Sequence, residues 1–479
     1  MMALLPKADI FTMQKRTHRV PNYLLASLVG IALLMNFGRF IELSMDFVQH
    51  FMLVDEIMKH GGRRPEVQIG IMSIYPPGAH WLAAVVGWIG GSGLVAIVLI
   101  SVASVYVSYL LVLELVGKDS PVNFALVAVA FILLAHTHSL IGWEVALNYF
   151  YSQQVADVAL LMTLVGLART TNVWARALIV IVVGAIAMWV HALIAIQILG
   201  CGLLLMFYQS VLAWRAGRSP VGIACALGLT AVGSVLILLV HPSFKAMRAA
   251  SETNGYVQFS YSFTLVAAAV CGAIALMALW RNFSGRSPSE VDAVLGCAGL
   301  ATAILAVAQY IVLHVGHAGS DYAVKKHMFV VVTLAMVNGV RLVGDRWPRT
   351  WQYGWLAAPI LAGFAAFHIL EPFAVPVVPV LRAIDYANHV AQFDLPGFMP
   401  GNTVSYDKKL PPEINLMISN TSFQHPFGDK QTAWLNGEDP TVDSQYAMVR
   451  RTPEIDAQCK DRFAESATYV VVTPDCLKR

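Results

Sequence analysis

Residues 177–213 read ALIVIVVGAIAMWVHALIAIQILGCGLLLMFYQSVLA and form one long apolar run. A helix that crosses a bilayer needs about 20 apolar residues. A run of 37 residues is therefore too long for one crossing and long enough for two. The chain must reverse direction near its middle, where the polar residue His191 lies. This stretch predicts two consecutive membrane-spanning helices, 177–190 and 191–213, that meet at His191.

The composition of the whole chain agrees with this interpretation. The chain has 479 residues, of which 57% are hydrophobic and only 13% are charged. Soluble domains are about one quarter charged, so the sequence indicates an integral membrane protein with the lipid bilayer as a partner. A net charge of +3 is too small to suggest a nucleic-acid partner.

The same criterion predicts an all-α polytopic protein with about eleven membrane-spanning helices. They are expected near 22–37, 78–116, 121–141, 153–168, 177–190, 191–213, 220–240, 263–280, 292–313, 327–343 and 352–370. The segment 78–116 divides into a short re-entrant or surface piece and a full span that begins near Gly93. The first apolar segment lacks a small-residue cleavage site, so we expect it to remain as the first helix.

Basic residues predict the orientation, because cytoplasmic loops are enriched in lysine and arginine. With a cytoplasmic N-terminus, every inside loop is short and basic. The loop residues are Lys7, Lys15, Arg16, Arg19, Lys118, Arg169, Arg176, Arg215, Arg218, Arg281, Arg286, Arg341, Arg346 and Arg349. We therefore expect a multi-pass protein of the cytoplasmic (inner) membrane with three parts: a cytoplasmic N-terminus (1–20), a transmembrane domain (21–370) and an extracytoplasmic C-terminal domain (371–479).

The C-terminal segment of 109 residues is long enough for a small domain, and its strand-like ATYVVVTP indicates an α/β fold. Cys459 and Cys476 lie in this segment, and outside the cytoplasm they are expected to form a disulfide. The other four cysteines lie in apolar stretches and are expected to be core residues.

The first outer loop contains SMDFVQHFMLVDEIMKHGG, residues 44–62. Asp46 and His50 lie one helical turn apart, and a separate apolar stripe has amphipathic spacing. We expect a helix at the membrane surface that presents a carboxylate and an imidazole. The stripe consists of Phe47, Phe51, Val54 and Met58.

The same loop continues with basic residues and a rigid turn. Arg63 and Arg64 belong either to a solvated face or to a binding site for a lipid phosphate, since basic residues outside oppose the orientation signal. Tyr75-Pro-Pro-Gly78 predicts a break, after which His80 begins a helix.

A later outer loop, HVGHAGSDYAVKKHMF at 314–329, carries two adjacent lysines. Lys325 and Lys326 again oppose the orientation signal, and lysine binds phosphate as a compact charge. The alternative is interfacial anchoring of the lysines and Tyr322 at the membrane boundary. Lys245 and Arg248, in the loop before the eighth span, are further candidates for a phosphate contact or a solvated surface.

Several polar residues fall near the outer ends of predicted spans, where ionisable side chains are functional candidates. Each could also be a hydrogen-bonded packing residue, but four outer loops contribute them to one membrane face. They are His136, His138, Glu144, Tyr151, Gln153, Gln154, Asp157 and His191.

The sequence lacks the motifs typical of several other enzyme classes. It has no Walker loop, dinucleotide glycine pattern or HExxH, and no GxSxG that supports a triad. No cofactor is expected. Asp46, Asp55 and Glu56 leave a divalent cation as an alternative, although no adjacent DxD pair is present.

MDFVQHFMLVDEIMKHG, YPPGAHWL and SDYAVKKHMF together resemble integral-membrane glycosyltransferases of the GT-C fold. The resemblance covers roughly residues 20–370. It implies that Asp46 is the general base and that Tyr322 and Lys325 form the Tyr-x-x-Lys motif that meets the lipid phosphate. This sequence departs from the family pattern in two places: His50 stands for the second acidic residue, and Asp321 precedes Tyr322 in place of a tyrosine pair.

The resemblance implies transfer of a sugar from a polyprenyl-phosphate donor to a cell-envelope glycan, lipid or protein, with inversion at the anomeric carbon. His50 would orient Asp46 or touch the sugar. We expect Lys325, Lys326, Tyr322, Arg248 and Arg63 to bind the donor phosphate. The substrate-binding candidates are Tyr75, His80, Glu144, Tyr151, Gln153, His191, His317 and Asp321.

The sequence leaves two alternative functions. A transporter or flippase of lipid-linked sugars would need a polar path to the cytoplasmic side, whereas the inside loops are short and basic. A polysaccharide polymerase or ligase would be expected to have a large arginine-bearing outer loop between spans, and no loop between spans is that large.

Overall fold

The structure is a computed structural model. It describes Ser27 and residues 45–63, 70–117, 134, 137–142, 144–145, 149–250, 257, 259–285, 289–344, 403–410, 415, 439, 441 and 444–478.

Most of the described chain is helical. In chain order, the helices are α1 (Met45–His60), α2 (Gly78–Gly90), α3 (Gly93–Gly117), α4 (Tyr151–Arg169), α5 (Val173–Val190), α6 (Ala192–Arg215), α7 (Val221–Val240), α8 (Pro242–Ala250), α9 (Tyr261–Phe283), α10 (Glu290–Val315), α11 (Asp321–Lys326), α12 (Met328–Gly344) and α13 (Pro453–Gln458). Short 3₁₀ helices lie at Gly70–Ser73 and Pro474–Lys478.

Seven described segments are long and apolar enough to cross a membrane. They are α3, α5, α6, α7, α9, α10 and the continuous stretch of α11 and α12. The prediction of a mostly helical chain with several spans is therefore confirmed. The predicted spans near 22–37 and 352–370, and most of 121–141, lie outside the described residues, so the count of about eleven stays a prediction.

The predicted reversal at His191 is confirmed. Helix α5 ends at Val190, His191 has an extended backbone (φ −157°), and α6 begins at Ala192. The two helices pack against each other, and α6 also packs against α10. His191 is thereby held at one end of the bundle.

The predicted break before His80 is also confirmed, because α2 begins at Gly78 directly after Pro77. Gly78 is required by packing: a Cβ atom there would lie 2.7 Å from the carbonyl oxygen of Trp189, at the end of α5. This close approach places the start of α2 beside the reversal at His191.

Helix α10 forms the centre of the bundle, where it contacts α4, α6, α9, α11 and α12. Its buried positions are mainly small or branched residues that allow close helix approach. Helix α7 lies outside, packed on α5 and α6, and exposes large apolar side chains such as Leu236 and Leu239, as a lipid-facing helix does.

The C-terminal segment contains a four-stranded sheet of β1 (Thr403–Ser405), β2 (Tyr446–Arg450), β3 (Arg462–Glu465) and β4 (Tyr469–Val472). The spatial order is β1-β2-β4-β3, with β1 parallel to β2 and the other pairs antiparallel. A disulfide joins Cys459 to Cys476. Met448 and Val471 of the sheet belong to the same hydrophobic cluster as Phe47 of α1.

Candidate active site

Helix α1 carries Asp46 and His50, but it is not the amphipathic surface helix that its pattern suggests. Phe47, Phe51 and Val54 are buried as expected, and so are Leu53 and Ile57 on other sides of the helix. The difference arises because α1 packs against α2 and α3 and shares a hydrophobic cluster with residues of the C-terminal sheet. His50 is therefore buried in a pocket lined by Tyr75, His80 and Tyr151, and Asp46, one turn earlier, is partly exposed.

His50 and His80 form a buried pair. The Nδ1 atom of His50 lies 2.8 Å from Nε2 of His80, which is hydrogen-bond distance, and neither ring is more than 3% exposed. Burial, followed by the nearby His80 ring and the charge of Lys326, holds the pKa of His50 well below its ordinary range. Burial also lowers the pKa of His80 to about 3. Both rings are thus neutral, and one donates to the other.

Aromatic side chains enclose this pair. Tyr75 contacts both rings edge-on, with centroids 5.3 Å from His50 and 5.9 Å from His80. Tyr151 lies 5.7 Å from His50, and its hydroxyl donates to the carbonyl of Ala79 at 2.7 Å. The pair is consequently fixed between α1, α2 and α4.

Asp46 lies in the same pocket and interacts electrostatically with Lys326. Burial raises the pKa of Asp46 to about 6, and the positive charge of Lys326 partly opposes this rise. The phenol groups of Tyr75 and Tyr322 also interact with the Asp46 charge. A carboxylate with this pKa is ionised at neutral pH and is a better proton acceptor than an ordinary aspartate.

Lys326 is the buried cation of the pocket. Its side chain comes from the last turn of α11, and the residue is only 6% exposed. The Nζ atom lies 3.2 Å from Oε1 of Gln153 and 2.9 Å from the ring centroid of Phe150. The ring of Tyr322 is 5.1 Å away. Lys326 therefore has aromatic faces and one amide oxygen as neighbours, with no carboxylate in salt-bridge contact among the described residues.

Lys325, the adjacent residue, has a different environment. Its Nζ atom forms an ion pair with Asp321 at 3.0 Å, one helical turn earlier. Asp321 is itself partly exposed, at 43% of its side chain. Of the two lysines in the motif, the structure brings Lys326 to Asp46 and pairs Lys325 with a carboxylate on its own helix.

Two further buried carboxylates, Glu144 and Asp157, interact electrostatically with Lys326. Glu144 hydrogen-bonds His138, whose ring lies at 46° to that of Phe259 with the centroids 4.4 Å apart. Asp157 is fully buried. His191 also interacts with the Lys326 charge, so candidates from separate outer loops converge on this lysine.

The chain turns sharply at Tyr149, just before α4. Tyr149 has φ = 52°, a left-handed conformation that is uncommon for a residue with a side chain. This turn directs the next residue, Phe150, to Lys326, and Tyr151 to α2. Backbone strain of this kind clusters at functional sites.

The remaining predicted residues lie at the edge of this region or outside it. Arg63 is exposed, donates to the carbonyls of Met72 at 3.0 Å and Tyr75 at 3.4 Å, and its charge acts on His80. His317 is exposed on the loop before α11 and has φ = 49°. Arg64, His136 and the side chain of Arg248 lie outside the described part of the chain.

A metal site does not emerge from the described residues, where no group of three or more His, Cys, Asp or Glu side chains is placed to hold an ion. Asp55 pairs with Lys59 at 2.7 Å, and Glu56 lies 3.8 Å from His60. Both contacts are within α1, one turn apart.

The sequence interpretation assigned no role to Phe150 or Gln197, and it counted Asp157 only among the polar candidates near the outer ends of the spans. Asp157 follows Gln153 at one helical turn, a spacing that places both on one face of α4. That spacing could have linked Asp157 to Gln153. The role of Phe150 has no sequence signal of its own, because an apolar residue beside a span is ordinary.

No protein-family model and no curated protein sequence matches this chain. Among solved structures, the chain is similar to ArnT from Cupriavidus metallidurans in the apo state, with 16% sequence identity, 96% of this chain and 98% of that chain covered, and a TM-score of 0.44. It is also similar to ArnT from Cupriavidus metallidurans bound to undecaprenyl phosphate, with 18% identity, 94% and 97% covered, and a TM-score of 0.40.

Proposed function

We propose that this protein is a GT-C type glycosyltransferase that moves a sugar from a polyprenyl-phosphate donor to a cell-envelope acceptor. The proposal includes about eleven spans, a cytoplasmic N-terminus, an outer-face active site and an extracytoplasmic domain over 371–479. The observation that carries it is the buried ammonium group of Lys326, held by Phe150 and Gln153, whose charge acts on the Asp46 carboxylate. A base and a cation at this position suit a reaction that removes a proton and releases a phosphate.

In the proposed reaction, the acceptor hydroxyl attacks the anomeric carbon of the donor sugar. Asp46 takes the hydroxyl proton, a new bond forms from the acceptor oxygen to the anomeric carbon, and the bond from that carbon to the phosphate oxygen breaks. The polyprenyl phosphate leaves with the electron pair. A single displacement of this kind inverts the anomeric centre.

Lys326 would stabilise the leaving phosphate. Negative charge on the phosphate grows as the bond breaks, and a fixed cation in a buried pocket stabilises such charge more than a solvated one does. The faces of Phe150 and Tyr322 hold the ammonium group without neutralising it. The group therefore remains able to pair with an incoming phosphate.

His50 acts as a positioning residue in this scheme. It is neutral and hydrogen-bonded to His80, so it is poorly suited to take the acceptor proton. The pair ties α1 to α2 one turn from Asp46 and thereby fixes the direction of the carboxylate. Tyr75, His80 and Tyr151 form the walls around it.

The proposal is tested by comparing cells with and without this protein by mass spectrometry of lipid-linked sugars and envelope glycans. A glycosyltransferase predicts that one polyprenyl-phosphate sugar accumulates while one envelope glycan, lipid or protein loses the same sugar. Purified protein given that donor and acceptor should then release free polyprenyl phosphate. A transporter would move the donor without cleaving it, and the absence of any released polyprenyl phosphate would reject the proposal.

A further inference from the structure

Four buried side chains near Lys326 have polar atoms that the proposed reaction does not use. Each residue is more than nine-tenths buried. Each has at least one side-chain atom without a hydrogen-bond partner among the described residues. The atoms are Nε2 of Gln153, both carboxylate oxygens of Asp157, Nδ1 of His191 and Oε1 of Gln197.

These side chains converge from three places in the fold. Gln153 and Asp157 lie one turn apart on α4, and Oε1 of Gln153 already contacts Lys326 at 3.2 Å. Asp157 and His191 interact electrostatically with the same lysine. Lys326 is therefore the common neighbour of all three.

Gln197 reaches the same region through His327, the residue after Lys326. The amide nitrogen of Gln197 donates to Nδ1 of His327 at 3.0 Å, and Nε2 of His327 donates to Oε1 of Gln309 at 2.7 Å. This arrangement fixes the His327 ring in one tautomer. It also leaves the carbonyl oxygen of Gln197 as a buried acceptor.

Packing alone does not account for such a cluster. Burying a polar group without a partner costs free energy, and a buried carboxylate without donors costs more. Elsewhere in the described chain, buried amides such as Asn338 and Asn415 have their hydrogen bonds supplied by nearby protein groups. The unpartnered groups beside Lys326 are instead suited to partners from a ligand.

The types of atom identify the chemistry of that ligand. Asp157 and the carbonyl of Gln197 accept hydrogen bonds, the amide nitrogen of Gln153 donates, and a neutral imidazole does one or the other. A second phosphate offers only acceptors and would be repelled by Asp157. A ring that carries several hydroxyls both donates and accepts, and so matches the set.

We propose that Gln153, Asp157, His191 and Gln197 form the subsite for the sugar of the donor lipid, with Asp157 as the residue that recognises its hydroxyls. This inference rests on the proposed function, in which the donor phosphate lies at Lys326. A sugar joined to that phosphate would then be next to the four groups. Asp157 would determine which sugar is accepted, because a substrate without matching hydroxyls leaves a buried carboxylate unpaired.

The test is a binding measurement on the full-length protein in lipid nanodiscs. The probes are undecaprenyl phosphate without a sugar and undecaprenyl phosphate carrying glucose, arabinose or N-acetylglucosamine. Wild-type protein should bind at least one sugar-bearing probe more tightly than the bare lipid. Asp157→Asn and Gln197→Leu should reduce affinity for that probe by about tenfold or more and change affinity for the bare lipid by less than about twofold.

Two controls accompany the pocket variants. Asp475→Asn changes an exposed carboxylate in the C-terminal segment and should alter neither affinity. Thermal unfolding shows whether each variant is folded.

If wild-type protein binds none of the lipids, the proposed function itself fails. If it binds bare and sugar-bearing lipids equally, or if both pocket variants weaken the two kinds of probe to the same extent, phosphate recognition stands and the sugar subsite is rejected.

Discussion

The two ends of the helical bundle differ in whether their buried charged side chains form salt bridges. One end is formed by the starts of α5 and α10 and the end of α12. There, each buried arginine forms a salt bridge with a carboxylate. Arg341 pairs with Asp292 and also donates to the carbonyls of Leu115 and Val116. Arg176, which is 2% exposed, pairs with Glu290 at 2.7 Å. These contacts join four helices, α3, α5, α10 and α12.

At the opposite end, three carboxylates face one buried lysine. Asp46, Glu144 and Asp157 all interact with Lys326, yet Asp157 has no hydrogen-bond partner among the described residues. Paired buried charges are consistent with a structural role, whereas unpaired ones cost stability. The comparison indicates that the first cluster holds the helices together and that the second is arranged for a ligand, as active sites often are.

The largest expected effect is from Lys326→Met, which removes the cation and keeps a side chain of similar length. Sugar transfer should fall by about 10²–10³-fold, since the leaving phosphate loses its fixed positive charge. Lys325→Met is the matched control: that lysine pairs with Asp321 near the surface, so transfer should change by less than about fivefold. The measurement is the initial rate with purified protein. A larger loss in the Lys325 variant than in the Lys326 variant would reverse the assignment.

The next effect concerns stability. Arg341→Met should lower the free energy of unfolding by about 3–5 kcal/mol, because it removes the salt-bridge partner of Asp292, whose side chain is only 16% exposed, and the hydrogen bonds to the carbonyls of Leu115 and Val116. Asp157→Asn, at the other end, should leave stability unchanged or raise it, because it removes a carboxylate that has no hydrogen-bond partner in the described part of the chain. Thermal unfolding in the same detergent compares them. Equal destabilisation by the two variants would show that both ends are structural.

The smallest effect is a dependence on pH. Since Asp46 must be ionised to accept a proton, kcat/KM should rise with pH through a midpoint near the Asp46 pKa of about 6. The free energy of unfolding should change with pH in the opposite direction from kcat/KM. The folded-state pKa lies above the ordinary value of 3.8, so the neutral carboxyl favours the folded state. That contribution is fully present below 3.8 and is lost as pH rises through about 6.

Asp46→Asn should flatten the pH dependence of unfolding between those values, since it cannot ionise. Asp475→Asn, at an exposed position, should leave the dependence unchanged. An unaltered slope in the Asp46 variant would assign the titration to another group.

Sequence alone predicted the elements that follow from hydrophobic length and rigid turns. The reversal at His191 and the start of α2 at Gly78 were both expected from local pattern. Such features depend on residues within one or two turns, which the sequence displays directly.

Local sequence pattern could not show which of the two adjacent lysines faces the pocket. Lys325 and Lys326 are about 100° apart around α11, and which one faces the pocket depends on how α11 packs against α10 and α12. The same is true of Phe150, whose position under Lys326 depends on the left-handed turn at Tyr149. Tertiary packing, which no local pattern encodes, decides these contacts.

The central claim is that Asp46 is the base for a donor held at Lys326. It is tested most directly by measuring donor binding and sugar transfer side by side in Asp46→Asn. We predict that binding of the polyprenyl-phosphate sugar stays within about threefold of wild type. Transfer should fall by about 10²–10⁴-fold. Unaltered transfer in a folded Asp46→Asn protein would contradict the claim.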